Sequence, residues 1–117
     1  MAKILIVDDE EPVRAFLKRG LELDGHEVDT AENGADALDV LDDGHRLLLT
    51  DIRMPVMDGI ALALAAKRDR PALTILLMTG YADQRERAKN LDAIVEDVLT
   101  KPFSLADARE AVRKALG

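Results

Sequence analysis

The sequence predicts one α/β domain, a doubly wound parallel sheet of five strands flanked by five helices, and three observations carry that prediction. Short apolar runs alternate with amphipathic segments along the chain, the pattern of a parallel sheet covered by helices on both faces. Runs such as Ile4 to Val7 and Leu47 to Thr50 are nearly continuous in apolar character, which fits strands buried on both faces better than strands with a wet side. With 117 residues the chain is long enough for one hydrophobic core and lies in the single-domain range, so residues 1–117 are expected to form one unit.

Each element follows from its residues. Ile4 to Val7 is the first strand. Pro12 opens a helix in which Val13, Phe16, Leu17 and Leu21 recur at helical spacing as far as Gly25. Val28 to Ala31 forms a weak second strand, and Asn33 caps a short helix carrying Ala37, Leu38 and Leu41, stopped by Gly44. Leu47 to Thr50 is the third strand, ended by Asp51. Pro55 and Asp58-Gly59 interrupt regular structure, and Asp58 caps a third helix rich in Ala and Leu that Pro71 ends. Leu73 to Met78 is a fourth strand, followed by Thr79-Gly80. Ala82 to Lys89 reads as a weakly amphipathic fourth helix and Val98 to Lys101 as a short fifth strand. Ser104 caps a last helix with Leu105, Ala108, Val112, Ala115 and Leu116 on one side.

Composition excludes several function classes. The chain is 48% hydrophobic but 3% aromatic, so its core is aliphatic and offers no stacking platform for single-stranded nucleic acid. A formal net charge of -7 repels phosphate backbones, and no basic patch offsets it, which argues against nucleic acid as a direct partner. There are no cysteines, hence no disulfides or thiolate metal sites, a usage compatible with the cytoplasm. No stretch reaches the roughly 18 apolar residues of a membrane span, and the short apolar run at the N-terminus lacks a signal-peptide layout.

Parallel strands direct their carboxyl ends to one edge of the sheet, where ligands of such folds bind. Asp8 and Asp9 after the first strand, Asp51 after the third, Thr79 after the fourth and Lys101 after the fifth are therefore expected to converge. Three carboxylates in one place repel one another unless a cation sits among them. An all-oxygen site of this kind suits Mg²⁺, which keeps positions open for substrate oxygens. Lys101 could neutralise an incoming phosphoryl group, the Thr79 hydroxyl could donate to one of its oxygens, and Gly80 leaves room beside it. Asp51 is then the natural nucleophile.

These residues carry a resemblance over the whole chain. Asp8-Asp9, Asp51 with Met54-Pro55 and Asp58-Gly59, Thr79-Gly80, and Lys101-Pro102-Phe103, in this order at strand ends, resemble the receiver domain of bacterial two-component response regulators, CheY-like in fold. The resemblance implies strand order 2-1-3-4-5, phosphorylation of Asp51 by a phosphohistidine on a sensor histidine kinase or phosphotransfer protein, and Mg²⁺ held by Asp9, Asp51 and the backbone carbonyl of Arg53, with Asp8 assisting through water. It further implies that Thr79 and Lys101 hold the phosphoryl group and that the peptide before Pro102 is cis.

The same residues have plainer explanations, and the sequence departs from the family in places. The acidic run Asp8 to Glu11 favours a helix N-terminus through the macrodipole. Lys101 taken singly could be a surface lysine and Thr79 an ordinary strand residue. His26 and His45 have no ligand-spaced neighbours and read as surface residues. Met54, Met57 and Met78 read as packing, and Arg85, Arg87 and Lys89 as a solvated helix face. Receivers commonly carry an aromatic residue three positions before the lysine, where this chain has Val98. Asn90 to Asp97 lacks the usual Gly-Ala connection, and His45-Arg46 replaces an aromatic-acidic pair, a change expected to alter only a surface loop.

The expected function is a single-domain phospho-acceptor switch whose output is a contact with another protein, since the sequence ends after the fifth helix. A motor or enzyme regulator, a protease-adaptor control of the CpdR type and a phosphorelay intermediate all fit, as does the receiver portion of a hybrid kinase. A Mg²⁺-dependent phosphatase using an aspartyl phosphate is the rival from another class. Such enzymes place the nucleophile on the first strand as Asp-x-Asp, whereas here Asp8 is followed by Asp9 and Glu10. With Val98 unable to swing as a ring would, the state is expected to be reported by the segment from Tyr81 to Asp97. In receivers the positions of Tyr81 and Arg53 flank the route of the water that removes the phosphate, so the resemblance implies that both residues influence how long the signal lasts.

Overall fold

In the computed structural model, which describes residues 1–81, 86–88 and 90–117, the elements are β1 (Lys3–Val7), α1 (Glu11–Leu23), β2 (Glu27–Ala31), α2 (Gly34–Val40), β3 (His45–Asp51) and α3 (Gly59–Asp69). They continue with β4 (Thr74–Thr79), helical residues 86–88 (α4), β5 (Asp97–Thr100) and α5 (Leu105–Leu116). All strand pairs are parallel, in the order β2-β1-β3-β4-β5, as expected. The expected fourth helix, Ala82 to Lys89, falls partly outside the described residues, as do Arg85 and Lys89 of the basic cluster. Among the described residues, no helix is long and apolar enough to cross a membrane.

The apolar runs are continuous because each strand feeds two cores. Leu5, Val7, Leu48, Ile75 and Leu77 point to one face, where they pack with Ala37 of α2 and Leu62, Ala63 and Ala66 of α3. Their neighbours Ile4, Ile6, Leu47, Leu49, Leu76 and Met78 point to the other, against Leu17 and Leu21 of α1 and Ala108 and Val112 of α5. Side chains alternate across a strand, so one run of Leu and Ile serves both layers. Met54 and Met57 pack at the margin of the first core, in keeping with their reading as packing residues.

Caps sit where the sequence put them, and boundaries shift by one to three residues. Asn33 and Asp58 accept hydrogen bonds from the backbone N–H of Asp36 and Ala61, and Ser104 forms a reciprocal capping box with Asp107. α2 ends at Val40, short of Gly44, and α3 at Asp69, two residues before Pro71. β3 starts at His45, two residues before the apolar run, and includes Asp51.

His45 corrects the sequence reading. It is 5% exposed, with Nε2 2.9 Å from Asp29 Oδ2, while the Asp42 N–H donates to its Nδ1 at 3.1 Å. Its carboxylate partner on β2 is remote in sequence and is delivered by parallel pairing on either side of β1, which local spacing does not reveal. The replacement at His45-Arg46 thus alters a buried strand position as well as the surface. His26 is half-buried and accepts a hydrogen bond from the Ala2 N–H at 3.0 Å.

Candidate functional site

The carboxyl ends of β1, β3 and β5 meet at Lys101. Its Nζ donates to Asp8 Oδ2 at 3.0 Å and lies 3.5 Å from Asp51 Oδ2. Lys101 follows β5 directly, and its peptide bond to Pro102 is cis. Burial works to lower the Lys101 pKa, but the hydrogen bond to Asp8 and the charge of Asp51 outweigh it and hold the ammonium above its usual value.

Asp8 is fully buried and Asp51 is 7% exposed. Burial pushes the Asp51 carboxyl up to about 6; Lys101 pulls against that shift and the negative charge of Asp8 adds to it. An acid displaced this far by burial at a cleft is a mark of functional sites. The backbone holds Asp51 in place, since the Ile52 N–H donates to its Oδ1 at 3.0 Å. Gly59 closes the loop behind it, donating its N–H to Ile52 O at 2.7 Å, and a Cβ there would lie 2.0 Å from Asp51 O. Only glycine permits that approach.

A cleft of about 440 Å³ opens above these groups, lined by Asp9, Glu10, Asp51, Arg53, Gly80, Tyr81 and Lys101. Asp8, Asp9 and Glu10 each offer a carboxylate oxygen within 4.8 Å of the others. This donor set is all oxygen and its charge exceeds that of Lys101, so the residues present fit a hard divalent cation such as Mg²⁺. Glu10 joins the two aspartates although the sequence reading assigns it no site role; its signal is its place in the acidic run after β1. The Arg53 guanidinium stacks over the Tyr81 ring at 4.5 Å from its centroid, placing the pair at the cleft wall.

Thr79 lies just outside this arrangement. It is fully buried at the end of β4, and its hydroxyl accepts from the Tyr81 N–H at 3.1 Å, so that Gly80 and Tyr81 line the cleft beside it. Val98 is half-buried against the first core.

Residues 4–113 match the family described as the response regulator receiver domain. The chain belongs to that family. It is 36% identical over 115 residues to the response regulator MprA of Mycobacterium avium, an alignment covering 97% of this chain and 50% of MprA. The chain thus spans about half the length of the MprA relatives it matches. Among solved structures, a receiver domain protein from Clostridium thermocellum superposes with a TM-score of 0.90 at 28% identity, covering 99% of this chain and 94% of that one. The response regulator TrrA of Thermotoga maritima, solved in complex with Mg²⁺-BeF, gives a TM-score of 0.87 at 34% identity, covering 98% and 99%. A receiver domain is a signalling switch that works with a phosphodonor such as a histidine kinase, and the five-stranded order of this one is that of its family.

Proposed function

We propose that this receiver accepts a phosphoryl group on Asp51 from a phosphohistidine, with Mg²⁺ held by Asp8, Asp9, Asp51 and the Arg53 carbonyl, and answers by changing its contacts with another protein. The observation that supports this reading most is the Lys101 ammonium shared between Asp8 and Asp51 at the mouth of an all-oxygen cleft. The related TrrA, solved with Mg²⁺-BeF, supports it independently.

In this mechanism an Asp51 carboxylate oxygen attacks phosphorus, an O–P bond forms, the N–P bond breaks, and the electron pair leaves on the donor imidazole. Bound Mg²⁺ would supply charge neutralisation for the transferring phosphoryl oxygens. Lys101 is already 3.5 Å from the nucleophile and provides a second, fixed positive charge on the same side. Thr79 reaches the phosphoryl oxygens by exchanging its bond to Tyr81 for one to the new anion. That exchange pulls on the backbone leading into residues 81–97, the segment we assign to output, with Val98 staying in place.

Incubation with acetyl phosphate and Mg²⁺ should add one phosphoryl group, located by mass spectrometry on Asp51, and Asp51→Asn should accept none. Phosphate found on another residue of the wild-type protein would sink the assignment. Lys101→Ala should retain the fold by circular dichroism while losing the change in partner binding. Hydrogen exchange with and without a phosphoryl mimic should differ across residues 81–97; differences confined to the strand ends would place the output on another face.

A further inference from the structure

We infer that Arg14 is the positioning residue of the acidic turn, an assignment that rests on the reading of that turn as the Mg²⁺ site. Asp8 is held at every polar atom it presents. Its N–H donates to Ala31 O at 3.2 Å, Oδ1 accepts from the Glu10 N–H at 2.9 Å, and Oδ2 accepts from Lys101 at 3.0 Å. These three contacts fix the carboxylate and the strand end. The fourth does something different: Arg14 Nη1, on the fourth residue of α1, reaches back over the turn and donates to the Asp8 carbonyl at 2.7 Å.

That carbonyl belongs to the peptide joining Asp8 to Asp9, and a peptide unit is a rigid plane. Pinning its oxygen sets the direction in which Asp9 leaves the strand. Among the described residues the exposed Asp9 carboxylate has no such support of its own, and it must converge with those of Asp8 and Glu10, whose oxygens lie within 4.8 Å of it. Among the described residues Arg14 has no carboxylate partner. In a chain with 23 acids and 16 lysines and arginines, it is committed to a backbone oxygen instead. A charge-assisted bond of this kind is also stronger than a neutral one, so the plane is held firmly.

Isothermal titration calorimetry of the full chain with MgCl₂ tests the assignment. Arg14→Gln should weaken Mg²⁺ binding by about tenfold to a hundredfold, the range for groups that orient a metal ligand. Arg14→Lys, which restores a charged donor, should recover most of that loss, and Asp9→Asn should remove binding. In the metal-free protein, the amide resonances of Asp9 and Glu10 should move in Arg14→Gln while those of β2 stay in place. If Arg14→Gln fails to fold, Arg14→Met keeps the packed stem and carries the same expectation. Wild-type affinity in the neutral variant, or equal weakening in Arg14→Lys, overturns the inference and leaves the Mg²⁺ reading standing. A wild-type protein that binds no Mg²⁺ overturns both.

Discussion

At the amino ends of the strands, Lys3 and His45 face Asp42 and Asp29, with Lys3 Nζ 2.7 Å from Asp42 Oδ2 and His45 Nε2 2.9 Å from Asp29 Oδ2. At the carboxyl ends of the same sheet, the carboxylates of Asp8, Asp9, Glu10 and Asp51 gather around Lys101, with Arg53 turned onto a tyrosine ring. The two ends use similar side chains to opposite effect. The Lys3 hydrogen bond holds the Asp42 carboxyl below its ordinary value and raises the Lys3 ammonium in return, so each partner favours the other's charge. Asp51 is instead pushed up to about 6 by burial that Lys101 only partly offsets. Satisfied charge marks the end that holds the sheet together, and surplus negative charge marks the end where we propose that a ligand binds.

The comparison is sharpened most by Asp51→Asn. The folded-state pKa of Asp51 is about 6 against an ordinary 3.8, so between these values the folded protein binds more protons than the unfolded chain. Stability from this group is therefore fully present below pH 3.8 and is lost as pH rises through about 6. Above that, the buried charge costs up to about 3 kcal/mol. Metal-free Asp51→Asn should be more stable than wild type by as much as this at pH 7, and the advantage should close as pH falls from 6 toward 4. Urea unfolding at pH 7 and pH 4 measures it. Millimolar Mg²⁺ should raise the wild-type midpoint far more than that of the variant.

The opposite end should respond with the opposite sign. His45→Ala removes the acceptor of the Asp42 N–H, strips Asp29 of its donor and leaves a hole at a buried position. A loss of about 2 kcal/mol is expected. Phosphorylation of Asp51 by acetyl phosphate should proceed at the wild-type rate, because His45 and Asp51 stand at the two ends of β3. A slowed reaction in His45→Ala would break the division between the two ends.

This division also explains how much could be read from the sequence. The strands were legible because Ile4 to Val7, Leu47 to Leu49 and Ile75 to Met78 are apolar at every position, which only a sheet covered on both faces requires. The carboxyl ends of the strands are then located to within a residue, and the meeting of Asp8, Asp51 and Lys101 follows from parallel topology. What escaped were contacts whose partners are set by register and side-chain reach. His45 finds Asp29 across β1, Arg14 turns back onto the Asp8 carbonyl, and Thr79 is tied to the Tyr81 backbone. Hydropathy patterns carry no information on such pairings. Strand limits were off by a residue or more because polar residues such as His45 and Asp97 pair in the sheet as readily as apolar ones.

A smaller effect is expected at the cleft wall. Arg53 and Tyr81 stack at 4.5 Å in the wall of the cleft that Asp51 also lines, and under the proposed mechanism water would pass them to reach a phosphoryl group there. Tyr81→Ala or Arg53→Ala opens that wall, and loss of a cation–π contact of about 0.5–1 kcal/mol corresponds to roughly twofold to fivefold faster dephosphorylation. Each substitution breaks the same contact, so the double variant should be little faster than either single one. Identical rates in all four proteins would remove the pair from the mechanism.

The smallest effect asks whether the functional end stores backbone strain as well as surplus charge. In the loop after Asp51, the Met57 N–H donates to Pro55 O at 2.8 Å, closing a three-residue turn around Val56, whose φ is +71°. A β-branched residue is ill suited to that region, because its Cβ crowds the neighbouring carbonyl at a cost of about 1–2 kcal/mol. Val56 is 83% exposed, so it recovers little of this through packing. Val56→Gly relieves the strain but gives the unfolded chain extra freedom worth roughly 0.5–1 kcal/mol, leaving a net gain of up to about 1 kcal/mol. A higher unfolding midpoint with unchanged denaturant dependence is the expected result. A lower midpoint would mean that the loop draws support from the Val56 side chain, and that strain is no part of the contrast between the two ends of the sheet.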